Sequence, residues 1–312
     1  MRRYAITAAV ALAAAGLTVG LTLATRTPTP HRETQPGSPP LLLDLGVRTD
    51  PEAVALRRAA MLYDQGRMQR AGLIFERYTS AEAQVGAALA AWRESSRASF
   101  TAISDLARRH PRNSLVQLEY GLALFWRGDD AGAGEAWRAA RRAQPDTPYA
   151  LRAEDLLHPN FPRGLPTFVP SFPPPPALAK LSPPRQLAYL RAHATDDRGR
   201  LLYGVALQRL GRQLSALRQF EQVSGVEGRV AVAVAHFDKA DPSRTFSRLG
   251  PLARRYPGNQ SVRFHLGLCL LWLGSVRKAE QELRLARAAG PHSTLGVEAQ
   301  RFLERLRGVG RR

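Results

Sequence analysis

Seven histidines, one cysteine and two acidic doublets are the side chains from which this 312-residue chain could build a reactive centre. The histidines are scattered, with no pair at metal-ligand spacing. Asp129-Asp130 and Asp196-Asp197 each stand before a helical pattern, where carboxylates oppose the positive end of a helix dipole. They are helix starters, not an acid–base dyad. The glycines fall at turns and not in a loop that could cradle a phosphate. Nothing sets a nucleophile beside a base, so no catalytic residue is assigned, and no enzyme activity, cofactor or metal is expected. Cys269 lies in an apolar helical stretch and reads as a small core residue; being alone, it can form no intramolecular disulfide.

What remains is the scaffold and its surface. The hydrophobic fraction of 44% and the charged fraction of 23% are those of a folded protein. Abundant alanine and few aromatics favour helices packed closely through small side chains. Residues 4–25 carry no charge and follow Arg2 and Arg3. About 22 helical residues span roughly 33 Å, the thickness of a bilayer core, so residues 1–25 are expected to be an uncleaved signal anchor and transmembrane helix. Arg2 and Arg3 outweigh the charge that follows the span, which places the soluble part outside the cytoplasm, or in a secreted form if the segment is cleaved. Residues 26–50, rich in proline and threonine, read as an extended stalk.

The rest is a duplication. Shifted by 146 positions, residues 106–157 fall on 252–303 without a gap, about two-fifths of them identical. Leu106-Ala-Arg-Arg-His-Pro111 meets Leu252-Ala-Arg-Arg-Tyr-Pro257, and further upstream an offset of 145 aligns Gly66, Ala71 and Phe75 with Gly211, Ala216 and Phe220. Two modules result, 51–158 and 198–312, joined by a proline-rich linker, 159–197, expected to favour polyproline II, as a plain spacer or with Phe161–Pro176 docked in a groove of its own chain. Within the first, Gly121, Gly128, Ala133, Ala140 and Pro145 follow one another at fixed spacing; Gly267, Gly274, Ala279, Ala286 and Pro291 repeat it. Gly121 suits a helix touched closely by its neighbour, and Gly128 a left-handed helix end. Ala133 and Ala140 lie two turns apart on one helix face, and Pro145 stops that helix. Gly66 and Ala71, with Gly204, Gly211 and Ala216, mark weaker copies.

This spacing resembles the tetratricopeptide repeat, a pair of antiparallel helices about 34 residues long. The early tryptophan of that family is absent: Ala55, Gln117, Arg200 and Arg263 stand in its place. The resemblance implies an all-α superhelical solenoid of six helix pairs, with closing helices near 147–158 and 293–307. It also implies a groove lined by the first helix of each pair. On that face the chain would present Tyr63, Trp92, Phe125 and Trp126 in module one. Module two would present Gln208, Arg209, His236, Phe237, Leu271 and Trp272. Such grooves take extended peptides or helices, which implies a scaffold that recruits a protein partner.

Charge supplies the alternative partner. The formal charge is +19, yet residues 51–158 hold 15 basic and 13 acidic side chains whereas 198–312 hold 21 and 8. Only Lys180, Lys239 and Lys278 are lysines, so the excess is guanidinium, suited to carboxylates and phosphates. Module two could therefore meet an acidic polymer or lipid headgroup; nucleic acid is not expected outside the cytoplasm. If the anchor is retained, the purified protein should keep its first residues and stay with membranes through carbonate extraction. An N-terminus beginning near Thr25 would establish cleavage instead.

Overall fold

A computed structural model describes residues 37–309, so the anchor expected over residues 4–25 lies outside the described residues. Among those residues there are helices and no strand, and no helix is long and apolar enough to cross a membrane. The chain divides into two compact units, the first ending at Leu157 and the second starting at His158.

In the first unit three helix pairs follow one another: α1 (Pro51–Asp64) with α2 (Met68–Phe75), α3 (Ala81–Ala90) with α4 (Ser96–Arg109), and α5 (Ser114–Trp126) with α6 (Asp130–Ala143). Helix α7 (Pro148–Leu157) closes the array against α5 and α6. The second unit opens with α8 (Pro176–Ala179) and α9 (Pro183–His193), then repeats the plan. Its pairs are α10 (Asp197–Arg209) with α11 (Gln213–Phe220), α12 (Gly225–Ala235) with α13 (Ser243–Arg255), and α14 (Gln260–Trp272) with α15 (Val276–Ala289). Helix α16 (Thr294–Val309) closes it. First helices of successive pairs also touch one another, while no comparable packing joins the second helices. Each unit therefore curves with its first helices on the inner side.

Local sequence explains where these helices start and stop. Asp50, Asn113, Asp129, Asp196 and Asn259 each accept a backbone N–H from three residues on, capping a helix whose first amides have no partner of their own. The two acidic doublets thus serve as a cap followed by a first-turn acid. Gly66, Gly128, Gly211 and Gly274 end first helices with φ between 71° and 83°, a conformation that only glycine adopts without strain. Pro145 and Pro291 follow the second helices α6 and α15.

Packing within a pair depends on missing side chains. A Cβ added to Gly121 would overlap the Trp137 ring, one on Gly204 would overlap Phe220, and one on Gly267 would lie 2.9 Å from Leu283 Cγ. Across those contacts Ala71, Ala133, Ala140, Ala216, Ala279 and Ala286 are wholly buried. The duplicated pairs share a polar tie as well. Ser114 Oγ donates to the Ala140 carbonyl at 2.7 Å, and Gln260 Nε2, at the equivalent place, donates to that of Ala286 at 2.8 Å.

Two expectations change. Residues 159–197 are not a plain linker: α8 and α9 form within them, and Phe168 is completely buried in the second unit. Residues 26–50 are not simply a stalk, because Leu41 and Leu45 belong to the core of the first unit. Both segments mix proline with apolar residues, and an extended chain can turn one edge of such a run inward: Pro39 and Leu41 are buried in one, Pro166, Phe168 and Pro170 in the other.

Substituting Gly121 by leucine should lower stability by about 1–3 kcal/mol, the usual cost of overpacking a core contact. The urea midpoint of the variant against wild type measures it. Glycine to alanine at Gly134, inside α6 where an added Cβ meets only the end of the Arg138 side chain, should instead raise the midpoint, by up to about 1 kcal/mol in stability, because alanine is the better helix former.

Candidate peptide-binding groove

The inner face of each unit holds an extended stretch of the same chain. In the second unit residues 161–172 run across α10, α12 and α14. The Phe168 N–H donates to Gln208 Oε1 at 3.0 Å, the Val169 N–H to His265 Nε2 at 2.9 Å, and the Ser171 N–H to Glu227 Oε1 at 2.7 Å. The Phe168 ring stacks on His265 with centroids 4.7 Å apart and meets Phe220 edge-on at 5.5 Å. At the start of the stretch the buried Lys239 ammonium donates to the Pro162 carbonyl at 2.8 Å.

The first unit does the same with residues 38–45. Tyr63 donates its hydroxyl to the Pro39 carbonyl at 2.6 Å, and Tyr149 donates to that of Asp44 at 2.8 Å. The Leu42 N–H donates to Glu119 Oε1 at 2.7 Å. Pro39, Leu41 and Leu45 are buried while Pro40 and Asp44 are exposed, the two-residue alternation of an extended backbone.

Both stretches lack a neighbouring strand, so their amides must find acceptors on helices; Glu119, Gln208 and His265 are buried, whereas Glu227 is half-buried. Burial pushes the Glu119 carboxyl up to about 8, with the Leu42 N–H pulling the other way. Burial also pushes His265 down to about 4, although the Ser261 carbonyl at its Nδ1 favours a proton there. Both groups are therefore uncharged near neutral pH. A neutral His265 with its proton on Nδ1 leaves Nε2 free to accept from Val169. Cys269, wholly buried in α14, has its thiol pushed far up and stays protonated. Among the described residues no three His, Cys, Asp or Glu side chains converge as a metal site would require.

The residues expected to line a groove have varied positions. Tyr63 and Gln208, at equivalent places in α1 and α10, touch the resident stretches directly. Phe237, Leu271 and Trp272 are buried in the core of the second unit, and Trp92 in that of the first. Phe125 and Trp126 are half-buried against the first core, with the Phe125 ring 5.8 Å from Trp137. Arg209 is exposed and His236 half-buried. The aromatic side chains at helix ends thus belong to the cores, and Phe125 is covered by Trp137 from the second helix of its pair. Contacts from Glu119, His265, Glu227 and Lys239 were not anticipated. A signal for them existed: offset by 127, Gly37-Ser-Pro-Pro-Leu-Leu42 falls on Gly164-Leu-Pro-Thr-Phe-Val169. Both glycines have positive φ, 85° and 76°. The amides of Leu42 and Val169 correspond, and so do their acceptors, Glu119 and His265, which stand 146 positions apart.

The two buried acceptors have opposite pH dependence. The unfolded chain releases the Glu119 proton near 4.5, whereas the folded chain keeps it to about 8. The first unit should lose stability as pH rises across that window. For His265 the unfolded chain takes a proton near 6.5 and the folded chain refuses it down to about 4, so the second unit should lose stability as pH falls across that window. With Trp272 changed to phenylalanine, fluorescence reports the first unit alone. Its urea midpoint should fall between about pH 5 and about pH 9, and Glu119→Gln should flatten that fall.

No protein-family model matches the chain, and no curated protein matches it. Solved structures of helical-repeat proteins do. The C-terminal part of a TPR repeat-containing protein from Cytophaga hutchinsonii is 15% identical over 78% of this chain and 98% of its own, with a TM-score of 0.26. The P58(IPK) TPR domain is 14% identical over 84% of this chain and 79% of its own, at a TM-score of 0.27. A chain of the APC/C hetero-tetramer Cut9–Hcn1 is 13% identical over 82% of this chain but only 56% of its own, at 0.29. At such TM-scores the likeness carries no inference about this chain. The helix pairs, their glycine–alanine contacts and their curvature are what make the array tetratricopeptide-like.

Proposed function

We propose that the chain is a non-catalytic scaffold that recruits protein partners by holding extended segments on the inner face of its helix pairs. Residues 4–25 would keep it at a membrane, with the array facing outward. One observation supports this reading above the others. Each unit holds an extended segment across its first helices, through main-chain hydrogen bonds and a buried apolar side chain. That combination is how grooves recognise peptides: the backbone bonds set register and the buried side chain supplies affinity.

The exposed surface of the second unit favours a second, electrostatic reading. Arg277 and Lys278 of α15 are exposed where the first unit has Ala131 and Gly132, so the added cations face solvent. An acidic partner or an anionic lipid headgroup would be drawn to them over a screening length of about 8 Å at physiological salt.

Affinity capture with the full chain from detergent-solubilised membranes separates the two readings. Recognition in a groove should recover the same partner at low and at high salt. Recovery that disappears at high salt would favour the arginine surface, and recovery of nothing beyond a mock capture would overturn the scaffold reading.

A further inference from the structure

The two resident segments share a Gly-x-Pro pattern, and their corresponding amides are held by corresponding helix positions. We infer that the groove of the second unit is a site for a partner's extended peptide of the pattern Gly-x-Pro-x-Phe/Leu-Val/Leu, and that residues 164–169 are a resident competitor which that peptide displaces. This rests on the scaffold reading and names the ligand class for it.

Three observations carry the inference. The first is the mode of recognition. Val169 and Leu42 are held by their N–H groups, and the pocket beside them takes phenylalanine in one unit and leucine in the other. Main-chain recognition with one tolerant apolar pocket is transferable to any chain that presents the same pattern. The second is that the residents fit imperfectly. Gln208 Nε2 and Glu119 Oε2 are buried in the groove walls with no hydrogen-bond partner while the residents are seated. Gln208 is 4% exposed and Glu119 fully buried, so both atoms lie away from bulk solvent. A peptide that offers Gln208 Nε2 an acceptor would be held better than the resident.

The third observation is the tether. Helix α7 ends at Leu157 and α8 starts at Pro176, so the segment lies between non-helical stretches on both sides. Ser171 and residues 173–175 are exposed. The segment can therefore leave the groove without unwinding any helix. The resident's advantage is its high effective concentration, which a partner offsets with better bonds or its own abundance.

Native-state hydrogen exchange on the wild-type full chain tests the first requirement. The Phe168 and Val169 amides should exchange at least about tenfold faster than the interior amides of α14, by local opening of the segment. A labelled synthetic peptide with the sequence of residues 161–172 tests the second. Its affinity for the Phe168→Asp chain should exceed that for wild type at least about tenfold, because the tethered competitor is removed. The same peptide carrying alanine for its Phe168 should fail to bind. If the two amides exchange only with global unfolding of the second unit, the segment is a fixed part of the core and the inference is overturned. That measurement needs no variant, so it decides the matter even where Phe168→Asp does not fold. Failure here would leave the capture of a partner by other surfaces untouched, so the scaffold reading stands or falls separately.

Discussion

A backbone amide buried away from water must find an acceptor, and an extended segment without a neighbouring strand has none of its own. The inner faces of both units are organised around that requirement. Glu119 on α5 and His265 on α14 are polar residues inside an apolar array, and each accepts the corresponding N–H of a resident segment. Gln208 and Glu227 serve further amides in the second unit, and Tyr63 and Tyr149 serve carbonyls in the first. Remove the segments, and these buried polar groups lose the partners that offset their desolvation. Remove the polar groups, and the segments cannot be buried.

The duplicated position tolerates both a carboxyl and an imidazole because the requirement is for an uncharged acceptor, not for a particular side chain. Burial meets that condition in opposite ways, by holding a proton on Glu119 and by keeping one off the Nε2 of His265. The partner ring differs correspondingly. His265 offers a flat face on which Phe168 stacks, while the first unit places an aliphatic leucine in the same register. The copies have thus diverged in chemistry while keeping their hydrogen-bond geometry.

This geometry depends on the close approach of helices. The glycines at 121, 204 and 267 let the second helix of each pair press against the first, so that the curvature brings the first helices together. Only then do side chains from three separate pairs reach one segment. Function on this reading belongs to the array and not to any single pair, which explains why no compact motif marks it.

Much of the fold is legible along the chain because it rests on local, periodic signals. Gly66, Gly128, Gly211 and Gly274 announce helix ends because only glycine takes a positive φ cheaply. Asp129 and Asp196 announce helix starts, and the alanine spacing announces which face is buried. The offset of 146 announces that the pattern occurs twice. What the chain alone could not decide was the fate of the proline-rich segments and of the aromatic residues. Residues 38–45 and 161–172 carry no helical period, and a proline-rich run reads the same whether it lies in water or in a groove. Their burial depends on partners as far along the chain as His265 from Val169, 96 positions, and Tyr149 from Asp44, 105 positions, and contacts that distant leave no local period to read. Tyr63 and Trp92 look alike as groove aromatics and both join the core, yet only Tyr63 is seen to hydrogen-bond the resident segment. Only the packing of neighbouring pairs separates them, because a helical period names the apolar face of a helix but not which neighbour covers it.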